Sequence, residues 1–199
     1  MRTITIFEHI SLDGVIQAPG GPEDDYAYGG WWWPFDDPIL GDAMDVAHST
    51  PFDLLLGRRT YDMWAGFWPT ATSLPMAASY NGATKYVATH RPETLAWGPA
   101  QDLGQDIVAG IRRVKATDGP DLICWGSSTL ASVLLVHGLA NAVQLLVAPI
   151  LLGTGKRFFS ENAPPRVLAL VTTVTAASGA MLNTYRPVGP VQTGAGAMA

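Results

Sequence analysis

The chain has one cysteine in 199 residues, few charges and no long apolar run. Cys124 has no partner for an internal disulfide. Its place in the apolar run Leu122-Ile123-Cys124-Trp125 points to a buried thiol rather than a nucleophile. Lys and Arg total 12 against 17 Asp and Glu, a net charge of −5. That balance argues against nucleic acid as a partner, because phosphate backbones select basic surfaces. No apolar stretch approaches a membrane span and no basic-then-apolar leader opens the sequence, so no membrane partner is expected and the expected location is cytoplasmic. Charged residues are only 15% and hydrophobic residues 48%, the balance of a globular protein. A single domain over 1–187 is expected, with 188–199, rich in small residues, as a flexible tail.

Several signatures are also missing. No G-x-G-x-x-G follows the first strand. Gly153-Thr154-Gly155-Lys156 resembles the end of a Walker phosphate loop, but Ile150 stands at the first glycine position and Arg157 replaces the Ser/Thr that would hold magnesium. Gly126-Ser127-Ser128-Thr129-Leu130 lacks the second glycine of a nucleophile elbow. No His, Cys and carboxylate cluster has zinc spacing, so no metal is expected.

What is present centres on Asp121–Phe159. An apolar run ends at Trp125, Gly126-Ser127-Ser128 turns, a helical stripe follows (Leu130, Val133, Leu134, Val136), and Val143–Ile150 reads as a strand. The period changes from strand to helix and back, as a βαβ unit requires. Free backbone N–H groups and the positive helix end make the Gly-Ser-Ser turn suit an anion. It also reads as a tight connection that binds nothing.

Two more strands end in similar chemistry. Phe52–Leu56 runs into Gly57-Arg58-Arg59-Thr60-Tyr61 and a short helix. Thr84–Thr89 runs into His90-Arg91-Pro92. In an open α/β sheet ligands bind outside the carboxyl ends of the strands, and three anion-friendly ends together imply a long phosphate-bearing ligand, most simply a dinucleotide. Arg2–Ile10 reads as the first strand, with a turn at Asp13-Gly14. Residues 17–37 have no period and carry Trp31-Trp32-Trp33. Three consecutive indoles cannot share one core, so at least one should face a ligand, a partner or a loop. Asp37-Pro38 reads as a helix cap and first turn. Asp106–Lys115 reads as a helix, and Val167–Ala176 with Ala180–Pro187 as a terminal hairpin.

Leu56-Gly57-Arg58-Arg59-Thr60-Tyr61 resembles the G-R-x-T element of dihydrofolate reductases. Asp13-Gly14-Val15-Ile16 resembles the start of their active-site loop. Ser11-Leu12-Asp13-Gly14, Trp125-Gly126-Ser127 with Leu130, Gly138-Leu139 and Pro149–Gly155 with Phe158-Phe159 resemble more closely a subgroup, the reductase domain of the riboflavin-biosynthesis deaminase-reductase. The resemblance covers Met1 to about Pro187. Trp125 stands where dihydrofolate reductases have the first of paired glycines, and Asn141-Ala142 replaces an Asp-Glu common in the subgroup.

The resemblance implies an α/β, dihydrofolate reductase-like mixed sheet: mostly parallel core strands, flanking helices and a C-terminal antiparallel hairpin. It implies NADPH as cofactor and hydride transfer to a small pterin- or pyrimidine-like substrate, in the manner of a 5-amino-6-(5-phosphoribosylamino)uracil reductase. Gly57, Arg58, Arg59 and Thr60 would meet the cofactor's phosphates, and Thr89, His90 and Arg91 the adenosine ribose. Gly126, Ser127, Ser128 and Thr129 would cradle the pyrophosphate, Gly153 and Thr154 the groove rim, and Ile16 and Ala18 the nicotinamide. Asp37 and Asp13 are the candidate catalytic carboxylates, and Trp33 and Asp36 the candidate substrate contacts. A second reading is a non-catalytic dinucleotide- or ligand-binding homodimer, with Val143–Ile150 and the tryptophans as interface.

Overall fold

The computed structural model describes residues 1–159 and 164–194; the end of the expected tail, residues 195–199, lies outside them. Strand β1 (Ile4–Ser11) is followed by a long irregular segment and helix α1 (Pro38–Ala47). Then come β2 (Phe52–Gly57), α2 (Arg58–Phe67), α3 (Ala77–Gly82), β3 (Lys85–Ala88), β4 (Ala100–Asp102) and α4 (Ile107–Ala116). The chain continues with β5 (Asp121–Trp125), α5 (Ser128–Val136), β6 (Ala142–Ala148), β7 (Arg166–Thr175) and β8 (Met181–Pro190). One sheet has the order β4-β3-β2-β5-β1-β6-β8-β7. Strands β1 to β6 run parallel, and β8 is antiparallel to both β6 and β7. This is the expected mixed sheet.

The parallel strands are covered on both faces, which explains the continuous apolar run Leu54-Leu55-Leu56, fully buried. Alternation sends Phe7, Leu54, Leu56 and Trp125 into a core with Trp31, Trp32, Leu40 and Tyr80. Ile4, Ile6, Leu55 and Cys124 enter the opposite core with Leu130, Leu134 and Phe158. Cys124 is a buried free thiol, pushed well up by burial.

Three local findings refine the expectations. Residues 67–81 hold the short helix α3, and β4 is a three-residue edge strand too short to leave a periodic signal. Strand β8 continues past Pro187 to Pro190, paired there with Arg166. Strand β6 is interior, bonded to β1 and β8, and Trp31 and Trp32 are buried whereas Trp33 is exposed.

Candidate functional site

The carboxyl ends of β2 and β5 lie side by side, and each carries a glycine where nothing larger fits. A Cβ on Gly57 would lie 2.5 Å from Ser127 Oγ. One on Gly126, at φ +70°, would lie 2.9 Å from Thr60 Oγ1. The first turns of α2 and α5 are thereby brought together, so two positive helix ends face one groove. Ser127 caps α5, its hydroxyl accepting from Leu130 N–H at 3.3 Å. Ser128 and Thr129 open a cleft along α5 whose other lining includes Ser132, His137 and Arg157.

Arg58 ties in the third strand end. Its Nη1 donates to Thr89 Oγ1 (3.3 Å), Arg91 O (3.0 Å) and Thr94 Oγ1 (2.7 Å), and its Nε to Asp62 (2.8 Å). Arg91, largely exposed, approaches the same Asp62 at 3.7 Å. Thr60 and Thr89 are buried and His90 is exposed. Gly57, Arg58, Thr60, Thr89, Arg91, Gly126 and Ser127 therefore form one contiguous edge. Arg59 does not join them: it pairs with Glu23 at 2.8 Å and with Asp24, fastening the long 17–37 segment.

Asp13 works as a clamp between loops. It accepts from Ser11 Oγ (2.6 Å), Leu152 N–H (3.1 Å) and Gly153 N–H (2.8 Å), with Arg157 at 3.7 Å. The Ser11 hydroxyl and those two backbone donors hold its carboxyl down at about 2. A carboxylate so firmly ionised is a poor proton donor near neutral pH. Ile16 N–H bonds Lys156 O (2.9 Å) and Tyr26 Oη donates to Thr154 O (2.8 Å). Gly153 and Thr154 thus belong to a knitted wall that also buries Ile16 and Ala18.

The candidate substrate residues are placed differently from one another. Asp37 accepts from Ile39 N–H (3.0 Å) as the cap of α1, and Asp36 is exposed. Trp33 is 61% exposed, its Nε1 donating to Gly20 O at 2.9 Å. Trp32 is the indole that reaches the sheet, packing against His9 at 4.6 Å.

Sequence reasoning passed over Glu8 and His9. Strand β1 pairs with β5 only as far as Phe7 and Trp125, yet with β6 as far as Ser11 and Ala148. The sheet is therefore split at its carboxyl edge between β1 and the Gly126 turn. Glu8 is 3% exposed there, and its carboxyl accepts the N–H of His9 (3.1 Å). Burial raises it to about 8, so it is a neutral acid in the groove. His9 points to the other face, and burial lowers it to about 4. The available signal was two adjacent ionisable residues inside the apolar run Ile6-Phe7-Glu8-His9-Ile10.

Among the described residues no cluster of three or more His, Cys, Asp or Glu is arranged to hold a metal. No helix among them is long and apolar enough to cross a membrane. The close-approach glycines, paired helix ends and Arg58 suit the phosphates of a dinucleotide.

Comparison with known proteins agrees with this fold. YyaP of Bacillus subtilis (strain 168), itself uncharacterised, is 25% identical over 190 residues, 92% of this chain and 94% of that protein. A putative riboflavin biosynthesis protein from Shewanella sp. PV-4 superposes with a TM-score of 0.59 at 19% identity, covering 94% of this chain and 99% of that one. A pyrimidine reductase-like protein from Corynebacterium diphtheriae gives 0.63 at 12%, covering 94% and 92%. The Thermotoga maritima diaminohydroxyphosphoribosylaminopyrimidine deaminase/5-amino-6-(5-phosphoribosylamino)uracil reductase gives 0.63 at 13%, with 94% of this chain matching 57% of that longer one. These structures share the dihydrofolate reductase-like fold seen here. The model of the RibD C-terminal domain matches residues 2–182, nearly the whole mixed sheet and every strand end described above, and the chain belongs to that family.

Proposed function

We propose that this protein is an NADPH-dependent reductase acting on a small planar heterocycle of pterin or pyrimidine type. The observation that carries the reading is the joining of the β2 and β3 ends by Arg58, beside the close Gly57–Ser127 and Gly126–Thr60 approaches that bring in the β5 end. A bound nicotinamide would supply the hydride; the protein binds, orients and excludes water. Gly126, Ser127, Ser128 and Thr129 hold the pyrophosphate at the α5 start, and Gly57 with Thr60 makes the facing wall. Thr89, His90 and Arg91 meet the adenosine ribose, where Arg91 suits a 2′-phosphate. Ile16 and Ala18 line the nicotinamide side, with Gly153 and Thr154 as its rim. Asp37 and Asp36, at the α1 start, face the substrate side with Trp33.

The protein works as a homodimer through its outer hairpin, where Leu170, Val171 and Val188 are each more than half exposed. Titrating NADPH and NADH against tryptophan fluorescence, then following NADPH oxidation with pterin and pyrimidine substrates, tests the reading. Saturable quenching with preference for NADPH is expected. Absence of NADPH binding overturns it, and binding without oxidation of any substrate favours a non-catalytic ligand-binding role.

A further inference from the structure

Where β1 leaves β5, one side chain is left without a partner. His9 stands on β1 two residues past the last β1–β5 pair. Its ring lies edge-on to Trp32 at 4.6 Å and 5.9 Å from Trp125, both indoles being buried. Among the described residues its ring nitrogens make no hydrogen bond, although the ring is half-buried. They are not sealed, unlike the unpaired Nε1 of Trp125. The other histidines differ. His48 bonds Met44 O through Nδ1 at 2.7 Å while its Nε2 is unpaired but sealed from solvent, and His90 and His137 are surface residues. The ring packs on two indoles while its nitrogens stay reachable and take no hydrogen bond from the protein, so they are open to a molecule entering beside Trp32. Such a group is accounted for by a ligand that completes its hydrogen bonding.

The neighbouring residue strengthens the placement. Glu8, next in the chain and on the opposite face, is buried beside the Gly126 elbow. The same two-residue stretch of β1 thus touches the dinucleotide groove on one side and the indoles on the other. The split is the one place where a ring in the groove and a ring among the tryptophans would meet through the sheet edge.

We propose that His9 is a catalytic residue on the substrate side of this split, donating a ring N–H hydrogen bond to the heteroatom of a planar C=O or C=N acceptor packed against Trp32 and Trp125. This rests on the reductase reading above. A nicotinamide bound in the groove would supply the hydride that forms the C–H bond at the acceptor carbon. The π pair of the broken double bond moves to the oxygen or nitrogen, where the His9 N–H meets the developing negative charge. A proton from water completes the O–H or N–H, and the imidazole ends as it began. Burial keeps His9 neutral, the form that donates without a counter-ion, as neutral imidazoles do at other carbonyl-polarising sites.

The test uses phenanthrenequinone as a planar dicarbonyl probe and diethylpyrocarbonate as a probe of free imidazole. In the free protein, mass mapping should find His9, His90 and His137 carbethoxylated and His48 spared. With NADP⁺ and phenanthrenequinone together, His9 should react at least about 10-fold more slowly than in the free protein. His9→Phe should lower kcat for NADPH-driven quinone reduction by about 100-fold, with the NADPH KM within about threefold, and His9→Gln, which keeps an N–H, should recover part of the loss. An unreactive His9 in the free protein, or equal reactivity in the ternary complex, overturns the proposal. Failure of the reductase reading is separately visible: NADPH then gives no fluorescence change, and protection of His9 by the quinone alone would retain the binding site without the cofactor.

Discussion

Gly126 faces Thr60 so closely that a Cβ at Gly126 would lie 2.9 Å from the Thr60 hydroxyl and 3.0 Å from its methyl. The same glycine has φ +70°, a conformation side chains disfavour. Gly126→Ala should therefore destabilise the fold by about 1–2 kcal/mol. It should also weaken NADPH by at least about 10-fold, since the two helix ends are pushed apart. Denaturant melts and fluorescence titration read the two effects, and a variant with wild-type NADPH affinity would count against the groove.

Arg58 organises Thr89 and Arg91 from a single guanidinium. Arg58→Ala should weaken NADPH more than NADH, by about 10-fold in the ratio of affinities, because the cation beside the 2′-phosphate loses its support. Equal losses for both cofactors would refute the 2′-phosphate assignment.

Glu8 gives the protein a signed pH dependence. Its carboxyl is raised to about 8 by burial, partly offset by the N–H groups of His9 and Gly126 and by the charge of Lys156, with Glu23 opposing. The folded state thus holds a proton that the unfolded chain releases near the ordinary Glu range, so stability falls as pH rises from about 4.5 to about 8 and then levels off. Glu8→Gln should flatten that decline and raise Tm at pH 8 relative to wild type. Above pH 8 the wild-type carboxylate would also confront the phosphates of a cofactor bound as proposed, so NADPH affinity should drop with pH in wild type and less in Glu8→Gln. Parallel pH profiles would remove Glu8 from the groove.

Asp13 joins the loop after β1 to the loop after β6. Asp13→Asn keeps the shape but loses charge-assisted acceptance, so it should cost about 1–3 kcal/mol and speed hydrogen exchange at Leu152 and Gly153. If Asp13 were instead a proton donor, the variant would lose turnover with unchanged exchange.

The outer hairpin should hold two chains together. Val171→Glu places a charge among Leu170, Val188 and Val171 and should convert a dimer to a monomer in light-scattering chromatography. A monomeric wild-type protein would dismiss the interface.

Much of the fold was legible because period and punctuation agree locally. Asp37-Pro38 starts a helix, and Leu54-Leu55-Leu56 is a doubly covered strand. The three strand ends were legible because glycine, arginine and hydroxyl side chains cluster beside them. What escaped the sequence depends on who stands next to whom. Nothing local says that β1 loses β5 after Phe7, so Glu8 and His9 looked like ordinary strand residues. Trp33 and Trp32 are adjacent and chemically identical, and only the path of the chain sends one outward and the other to His9. Arg59 resembles Arg58 in sequence, but the helix turns it toward Glu23.

The early parting of β1 from β5 has a mechanical consequence. The sheet is two plates, β4-β3-β2-β5 and β1-β6-β8-β7, sewn by a seam of four residue pairs from Ile4–Leu122 to Phe7–Trp125. Gly57, Thr89 and Gly126, proposed above to face phosphate, ride on the first plate, and His9 on the second. On the proposed reading, a molecule lodged across the opening would act as a rivet at the unsewn end, joining two plates that share only this short seam.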